Sequence, residues 1–448
     1  MGLQFFPRGG SAHVARNLAG FLPGLGWDVT VVSGSVSLTD RPGDAGDFYA
    51  GCDVRAVDMT PALAAPDPML ADPPLHASYE DRPGAPDRFM GSLDDAAYEH
   101  QVRHWTGVLR VADAASADVL HLHHLTPLNE AAAVAAPGVP VIGHLHGTEL
   151  LMLEALARDP GASAHGAAWV ARMRRWAVAC EYLIVLSSSQ VERVGELLGV
   201  SADRCLKVSN GFDPAAFAPR PVDRAAHWRR HLHAAPQGWR PGAEAGSISY
   251  EERALEAFAG DACVLLYVGR FTAVKRIGVL IEAYASARPA LRRRAPLVLC
   301  GGFPGEWEGE HPVDAIERLG VEDVFLAGWH GHDRLPDFLN GSDLLVLPSV
   351  REQFGQVLVE AMACALPVVA VDAHGPAEIV RPGETGWLVG PDDAAALAAA
   401  LVEAVNDPRE RRRRGAAARE DALARFAWPS LARRVAAVYE AASARVPR

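Results

Sequence analysis

Short apolar runs alternate with amphipathic, alanine-rich segments along almost the whole chain. The runs are rich in leucine and β-branched residues, which favours strands, while the segments between them keep the apolar spacing of helices. Strands that alternate with helices are typical of parallel sheets covered by helices on both faces. The pattern therefore predicts an α/β protein.

The predicted strands fall into two sets. The first set comprises LQFF (3–6), DVTVVS (28–33), DVLHLH (118–123), VPVIGHLH (139–146) and YLIVLS (182–187). The second set comprises CVLLYVG (263–269), PLVLCGG (296–302), DVFLAG (323–328), DLLVLPS (343–349) and LPVVAVD (366–372). We expect two Rossmann-like domains whose parallel sheets face an interdomain cleft, since ligands bind at the carboxyl ends of such strands.

The chain has 448 residues, which is too long for one ordinary core. We place the boundary between an N-terminal domain, 1–214, and a C-terminal domain, 215–426. Two stretches fit the alternation poorly, 34–100 and 214–262, and long irregular segments are usually functional or disordered. We interpret them as insertions that serve substrate specificity or an oligomer contact, such as that of a homodimer.

Composition and charge exclude several classes of partner. The formal net charge is −12, which argues against broad binding to nucleic acid or to an anionic membrane but leaves room for a local basic pocket. No apolar run approaches the ~18 residues of a membrane span, and no targeting segment is recognisable. The six cysteines are scattered, without a C-x-x-C pair, as expected of reduced thiols in a cytoplasmic protein.

The stretch EQFGQVLVE places Glu352 and Glu360 at the two ends of an uncharged segment. A helix beginning near Gly355 would put Glu352 in the loop before its first turn and Glu360 about a turn and a half further on. The two carboxylates would then flank a helix N-terminus, whose free N–H groups and partial positive charge attract a phosphate. This arrangement predicts an anion with hydroxyl groups on either side of it.

Two other stretches could contact a phosphate. LLYVGRFTAVKR (265–276) ends a strand with Arg270 and Lys275, which are placed to bind a phosphate, although two solvated surface cations are an equal alternative for this motif alone. Gly9 and Gly10 follow the first strand and precede a helix, and a plain tight turn explains them at least as well. They do not form the G-x-G-x-x-G fingerprint of nicotinamide binding.

Histidines cluster at the ends of two strands in the first half. His146 ends VPVIGHLH, where a structural cap is the commoner role of a lone histidine. His121, His123 and His144 could suggest a metal site, but no carboxylate or cysteine accompanies them at ligand spacing. Strand packing and contacts with a substrate are the preferred interpretation. No nucleophile elbow surrounds the serines at 187–189, so a Ser-His-Asp hydrolase is excluded.

Several motifs together resemble glycosyltransferase family 4, the retaining enzymes of the GT-B fold. In the second half these are VGRFTAVKR, LNGSDLLVLPS, EQFGQVLVEAMACALPVVAVDAHGPAEIV and GETGWLV; in the first half they are RGGSAHVARNLA, HLHGTE and SNGFD. The resemblance implies transfer of a sugar from a nucleoside-diphosphate sugar to a small-molecule acceptor. It also implies no metal, no cofactor, and a same-face substitution in which the leaving phosphate helps to take the proton of the acceptor.

The resemblance assigns donor-binding roles, mostly to residues of the second half. Glu352 would bond the hydroxyls of the donor sugar, and Glu360 the ribose of the nucleotide. The remaining donor-binding residues would be Gly9, Gly10, Arg270, Lys275, Trp329, Phe354, Gly355 and Gln356. The nucleobase would lie near 328–330, held largely by backbone.

The resemblance also assigns residues to catalysis and to the acceptor. The catalytic residues would be His146, Arg270, Lys275 and Glu352, and the acceptor-side residues Arg8, His124 and Glu149. The segment 427–448 would form a terminal helix that crosses back to the first domain. Two alternatives stay open, which are a sugar-nucleotide epimerase on the same fold and a non-catalytic sugar-nucleotide sensor.

Overall fold

A computed structural model describes residues 1–7, 9–37, 43–80 and 86–444. The chain divides into two compact units. The first unit comprises Met1–Asn210 together with Trp428–Arg448, and the second comprises Gly211–Ala427.

Each unit is built on one parallel sheet. The first sheet has the order β3-β2-β1-β4-β5-β6-β7, and the second has the order β10-β9-β8-β11-β12-β13. The strands are β1 (Gly2–Leu3), β2 (Thr30–Ser35), β3 (Asp53–Asp58), β4 (Leu120–His123), β5 (Val141–His144), β6 (Tyr182–Val185), β7 (Cys205–Lys207), β8 (Leu265–Val268), β9 (Leu297–Cys300), β10 (Val324–Gly328), β11 (Leu344–Leu347), β12 (Val368–Val371) and β13 (Gly386–Val389). The prediction of two Rossmann-like domains with parallel sheets is confirmed.

Helices connect successive strands. They are α1 (Gly10–Phe21), α2 (Ala45–Phe48), α3 (Asp95–Val111), α4 (Pro127–Ala135), α5 (Thr148–Arg158), α6 (Gly166–Ala179), α7 (Ser188–Leu198), α8 (Arg224–Arg229), α9 (Ile277–Ala287), α10 (Pro312–Leu319), α11 (Leu335–Asn340), α12 (Gln356–Ala363), α13 (His374–Ile379), α14 (Ala394–Asn406), α15 (Pro408–Phe426) and α16 (Trp428–Ser443). None of the helices described is both long enough and apolar enough to cross a bilayer.

The strand β4 shows why its sequence LHLH fits a central position. Leu120 and Leu122 belong to the large apolar core of the first unit, whereas His121 and His123 occupy the opposite face because successive side chains alternate. All four residues are buried, as expected for a strand covered on both faces. The histidines therefore lie inside the protein, at the carboxyl end of the strand.

The terminal helix α16 packs against α1 of the first unit. Leu431 and Val435 of α16 share an apolar cluster with Val14 and Leu18 of α1. Tyr439 lies in the same cluster, and its hydroxyl group contacts His121 of β4. The last four residues of the predicted terminal helix, 445–448, lie outside the described residues.

Three strands were not predicted. The strand β3 lies inside 34–100, so the interpretation of that whole stretch as an insertion is wrong: six of its residues pair with β2 at the edge of the first sheet. Three of the six residues in its sequence DVRAVD are charged, since no side chain of this edge strand is fully buried, and this hides the apolar signal. The other two, β7 and β13, are also the outer strands of their sheets.

The stretch 214–262 covers the edge of the second sheet. Trp228, Leu232 and Trp239 from this stretch are fully buried. Gln237 forms a bridge with Gly328 at the end of β10, and the Tyr250 hydroxyl accepts a hydrogen bond from the backbone N–H of Leu326 at 2.8 Å. This stretch is therefore part of the folded second unit.

Candidate active site

In the second unit, the loop after β8 carries Arg270. The Tyr267 hydroxyl donates a hydrogen bond to the Arg270 carbonyl at 2.8 Å, which fixes the turn, and Arg270 is exposed. A Cβ atom at Gly301, where φ is +124°, would lie only 2.1 Å from the Gly269 carbonyl oxygen. The glycine is therefore required for the loops after β8 and β9 to meet.

Lys275 and Glu352 form an ion pair through Nζ and Oε2. The side chains are 18% and 20% exposed, respectively. The structure thus brings together a cation and a carboxylate that lie 77 residues apart in the chain. Because water screens the pair only in part, the two charges attract each other more strongly than they would on an open surface.

The helix α12 begins at Gln356, with Gly355 as its N-terminal cap, which confirms the predicted helix start. Gly355 has a φ of +99°, a left-handed conformation that favours glycine. Phe354 is buried, and its ring lies 5.9 Å from that of Phe426. The first N–H groups of a helix have no intrahelical partner, so this end of α12 can accept an anion.

Gly375 positions the loop that carries Glu352, and the sequence analysis did not identify it as a site residue. Its backbone N–H donates to the Glu352 carbonyl at 3.1 Å. A Cβ atom at Gly375 would lie 2.2 Å from the Phe354 carbonyl oxygen, so a larger residue would push the loop away. Its position within GPAEIV was the only sequence signal for this role.

Glu360 lies on the buried face of α12 and is only 2% exposed. Its Oε1 atom accepts hydrogen bonds from His332 Nε2 at 2.8 Å and from Gln356 Nε2 at 2.9 Å. Gln356 Nε2 also donates to the Gly211 carbonyl at 2.8 Å. With Oε1 occupied, Oε2 is the atom that has no partner among the described residues. His332 carried no motif that would have identified it.

Trp329, with 42% of its surface exposed, lies at a pocket of about 520 Å³ within the second unit. The other lining residues are Ala226, His227, Arg230, His231, Ala235, Gln237, His330, Gly331, Arg334 and Asp337. The three histidine rings surround Phe338, with centroids 4.6 to 4.8 Å from its ring. Arg220 pairs with the Asp337 carboxylate at 2.7 Å, which offsets the negative charge of this lining residue. The lining also contains Arg230 and Arg334, so it is rich in hydrogen-bond donors and positive charge.

In the first unit, Gly9 caps α1 and Gly10 is its first residue. Both are exposed, and a Cβ atom at either position would meet no atom within 4 Å. The structure of the described residues therefore gives no steric reason for glycine here. Arg8, which the sequence analysis placed on the acceptor side, lies outside the described residues.

His146 follows β5 and belongs to an array of four imidazoles on one face of the sheet. His146 Nε2 lies 3.0 Å from His123 Nδ1, and His144 Nδ1 lies 3.1 Å from His121 Nε2. The ring centroids in these pairs are 5.3 and 5.2 Å apart, and the interplanar angles are 21° and 8°. Such large separations with short N–N distances mean that the rings meet edge to edge, as in a direct hydrogen bond.

His124 and Glu149, the other predicted acceptor-side residues, lie next to this array. His124 Nδ1 contacts Glu149 Oε1, and the Glu149 carboxylate also accepts the backbone N–H of His146 at 3.2 Å. Glu149 is fully buried. The structure thus brings three predicted residues together, and it adds His123 and Tyr439, which the sequence analysis had not assigned to the site.

The nitrogens of His121, His123 and His144 lie within 4.8 Å of one another, close enough to suggest a metal ion. The pair geometry argues against one. An ion 2.0–2.1 Å from both His121 Nε2 and His144 Nδ1 would lie about 40° off each lone-pair direction, because these nitrogens point at each other. A direct hydrogen bond fits the geometry better, and the predicted absence of a metal stays a prediction.

Burial keeps the array neutral. Desolvation, reinforced by the neighbouring imidazoles, holds the pKa values of His121, His123 and His146 well below the usual value. The same effect lowers the pKa of His144 to about 3. In the pocket of the second unit, burial lowers the pKa of His227 to about 4 and that of His231 to about 3.

Two family models match the chain and together cover most of it. Residues 8–216 match "Glycosyltransferase Family 4", and residues 250–421 match "Glycosyl transferases group 1". A D-inositol 3-phosphate glycosyltransferase of Acidothermus cellulolyticus is 30% identical over 341 residues, 73% of this chain and 68% of the relative. One of Streptomyces scabiei is 32% identical over 320 residues, 68% of this chain and 63% of the relative.

Solved structures share the fold at low identity. HepE of Anabaena in complex with UDP and glucose has a TM-score of 0.66 and 20% identity, with 98% of each chain covered. Sucrose-phosphate synthase of Thermosynechococcus elongatus has a TM-score of 0.66 and 19% identity, with 98% of this chain and 95% of that chain covered.

The neutral array predicts that stability falls in acid. Unfolded imidazoles take up protons below their ordinary pKa of about 6.5, whereas the folded imidazoles resist protonation to lower pH. The stabilisation by His121, His123 and His144 is therefore complete above about pH 6.5 and is lost as the pH falls, by up to about 1.4 kcal/mol per pH unit and group.

Urea unfolding followed by circular dichroism between pH 8 and 5 measures this dependence. Below pH 6, His144→Asn should reduce the slope of the free energy of unfolding against pH by the contribution of about one proton. Between pH 7 and 8 these histidines should contribute no slope. An unchanged slope in His144→Asn would show that His144 binds its proton equally in the folded and the unfolded protein, which would contradict a neutral array.

Proposed function

The chain belongs to glycosyltransferase family 4 and has the GT-B fold; on this basis we propose that it transfers a sugar from a nucleoside-diphosphate sugar to a small-molecule acceptor, with retention of the anomeric configuration. The observation that carries the proposal is the arrangement of Glu352, Lys275 and Glu360 around the start of α12. A helix end that can bind an anion, with a lysine beside it and a carboxylate on each side, suits a diphosphate that is linked to two sugars.

The donor-binding roles follow from the two glutamates. Glu352, in the loop before α12, bonds hydroxyl groups of the transferred sugar. Glu360, on the helix, bonds the ribose through Oε2, since its Oε1 is held by His332 and Gln356. The diphosphate lies at the N-terminus of α12, within reach of Lys275 and of Arg270 on the loop after β8.

The chemistry needs charge stabilisation rather than an enzyme nucleophile. The bond between the anomeric carbon and the donor phosphate breaks while the acceptor oxygen approaches from the same face, and the acceptor proton passes to the leaving diphosphate. Negative charge builds on that diphosphate, where Arg270, Lys275 and the helix start stabilise it. Because these groups supply positive charge, the reaction requires neither a metal ion nor a cofactor.

The nucleobase lies in the pocket next to Trp329. Gly331 lines this pocket, and the following residue, His332, bonds the glutamate that holds the ribose. A base attached to that ribose would therefore lie next to the residues that line the pocket. The donors of Arg230 and Gln237 favour a base that carries carbonyl oxygens. HepE, which shares the fold, was solved with UDP.

The acceptor is a small polyhydroxylated molecule bound by the first unit, near His146, His124 and Glu149. The curated relatives are named for D-inositol 3-phosphate, which is such a molecule. The six free thiols support a location in the reducing cytoplasm.

Nucleotide release tests the function. We expect release from one of a panel of UDP-, GDP- and ADP-sugars only when an acceptor such as an inositol phosphate is added, with a product of retained configuration by NMR. Activity should survive EDTA. Donor consumption without acceptor would indicate an epimerase, and binding without turnover would indicate a sensor. Loss in EDTA that Mg²⁺ restores would contradict the metal-free reaction.

The two glutamates should separate by calorimetry. Glu360→Gln should weaken both the intact donor and the free nucleoside diphosphate by about 10- to 100-fold, because a charge-assisted hydrogen bond to ribose is lost. Glu352→Gln should weaken only the intact donor. It should leave nucleoside-diphosphate affinity unchanged or higher, since Lys275 loses its carboxylate partner. Glu384→Gln, an exposed site of the same unit, is the control. Equal losses of nucleoside-diphosphate affinity in both variants would refute these assignments.

Arg230 and Arg229 form a matched pair for testing the nucleobase site. Arg230 lines the pocket, whereas Arg229 pairs with Glu252 outside it. Arg230→Ala should weaken the nucleoside diphosphate by about 10-fold or more while leaving inorganic pyrophosphate unaffected. Arg229→Ala should change neither. Equal effects of Arg230→Ala on both ligands would place the base elsewhere.

A further inference from the structure

His146 and His123 share one hydrogen bond, so the tautomers of the two rings are coupled. A neutral imidazole has one N–H donor and one lone pair. If His123 Nδ1 donates to His146 Nε2, then His146 carries its own hydrogen on Nδ1. If His146 Nε2 donates instead, His146 Nδ1 is a lone pair and His123 carries its hydrogen on Nε2.

The surroundings of His123 distinguish these two states. His123 is fully buried, and its Nε2 atom has no hydrogen-bond partner among the described residues. In the first state this atom is an unpaired lone pair, and in the second it is an unpaired N–H group. Buried N–H groups without an acceptor are rarer than buried acceptors without a donor, because an unpaired donor loses the hydrogen bond it would make with water. The first state is therefore favoured.

The backbone of His146 is also held. Its N–H donates to the buried Glu149 carboxylate at 3.2 Å, and Glu149 in turn contacts His124. His146 is the member of the array that is partly exposed, while His121, His123 and His144 are buried. The ring is thus anchored on its Nε2 side, and Nδ1 is the nitrogen left for a substrate.

We propose that His123 is a positioning residue that fixes the tautomer of His146, so that His146 offers an Nδ1–H donor to an oxygen of the sugar or of the acceptor. This assignment rests on the proposed transfer reaction. It makes His146 a neutral hydrogen-bond donor and excludes it as the general base. The proton of the acceptor hydroxyl then passes to the leaving diphosphate as the new glycosidic bond forms and the bond to phosphate breaks.

Long-range ¹H–¹⁵N NMR of protein labelled in its histidines measures the tautomer directly. We expect a protonated Nδ1 and an unprotonated Nε2 for His146, assigned by the signals missing in His146→Asn. His123→Leu should allow the Nε2–H form to appear, and His123→Asn, whose amide can donate to His146, should restore the original tautomer. A wild-type His146 protonated on Nε2 would overturn the proposal.

His121→Leu is the matched control, because His121 lies on the same strand and is equally buried but pairs with His144. It should leave the His146 tautomer unchanged. If it shifts that tautomer as much as His123→Leu does, the effect belongs to packing of the array and the proposal is wrong.

Kinetics give a second readout. His123→Leu should lower kcat by about 10-fold with little change in donor KM, and His123→Asn should recover most of this loss. His146→Asn, which keeps an N–H near the Nδ1 position, should be much more active than His146→Leu. If the two His146 variants retain equally low activity, and if their pH profiles lack an acid limb that the wild-type profile shows, His146 acts as a general base instead. The NMR result does not depend on turnover, so failure of the transfer reaction is distinguishable from failure of this assignment.

Discussion

The close approach of Gly375 to Phe354 is the constraint on which the candidate donor site depends. With no Cβ atom at Gly375, the backbone N–H of this residue reaches the Glu352 carbonyl, and the loop before α12 is held against the start of α13. The loop then delivers the Glu352 carboxylate to Lys275 and leaves the first N–H groups of α12 free. A side chain at Gly375 would move the carboxylate, the cation and the helix end relative to one another.

The same principle recurs at other strand ends of the second unit. Gly301 lets the loops after β8 and β9 touch, and Gly328 lets Gln237 bridge the end of β10, where a Cβ atom would lie 1.9 Å from the Gln237 carbonyl oxygen. Parallel strands bring their carboxyl ends to one edge of a sheet, and backbone contact there fixes loops that carry the polar side chains. The stretch 214–262 takes part in this through its contact with β10.

The first unit organises its polar residues differently. Four imidazoles lie on one face of a buried sheet, and half of their ring nitrogens pair with one another. Tyr439 supplies a further contact from α16 to His121. Burial keeps these rings neutral, so the array sets the direction of hydrogen bonds rather than supplying charge. In the proposed transfer reaction, positive charge comes instead from Lys275 and Arg270 of the second unit.

The sequence by itself determined the two parallel sheets, the central strands and the start of α12, because apolar periodicity and helix-start signals are local properties of the chain. Through resemblance to a family, it also predicted that Arg270, Lys275, Glu352 and Glu360 belong to one donor-binding site. The edge strand β3 escaped because its half-exposed surface removes the apolar signal. Only the tertiary structure decided that Lys275 pairs with Glu352, that His332 holds Glu360 and that His123 bonds His146, since these contacts join residues 77, 28 and 23 positions apart. No local pattern encodes such pairs; they arise when strand order and loop packing bring the residues together.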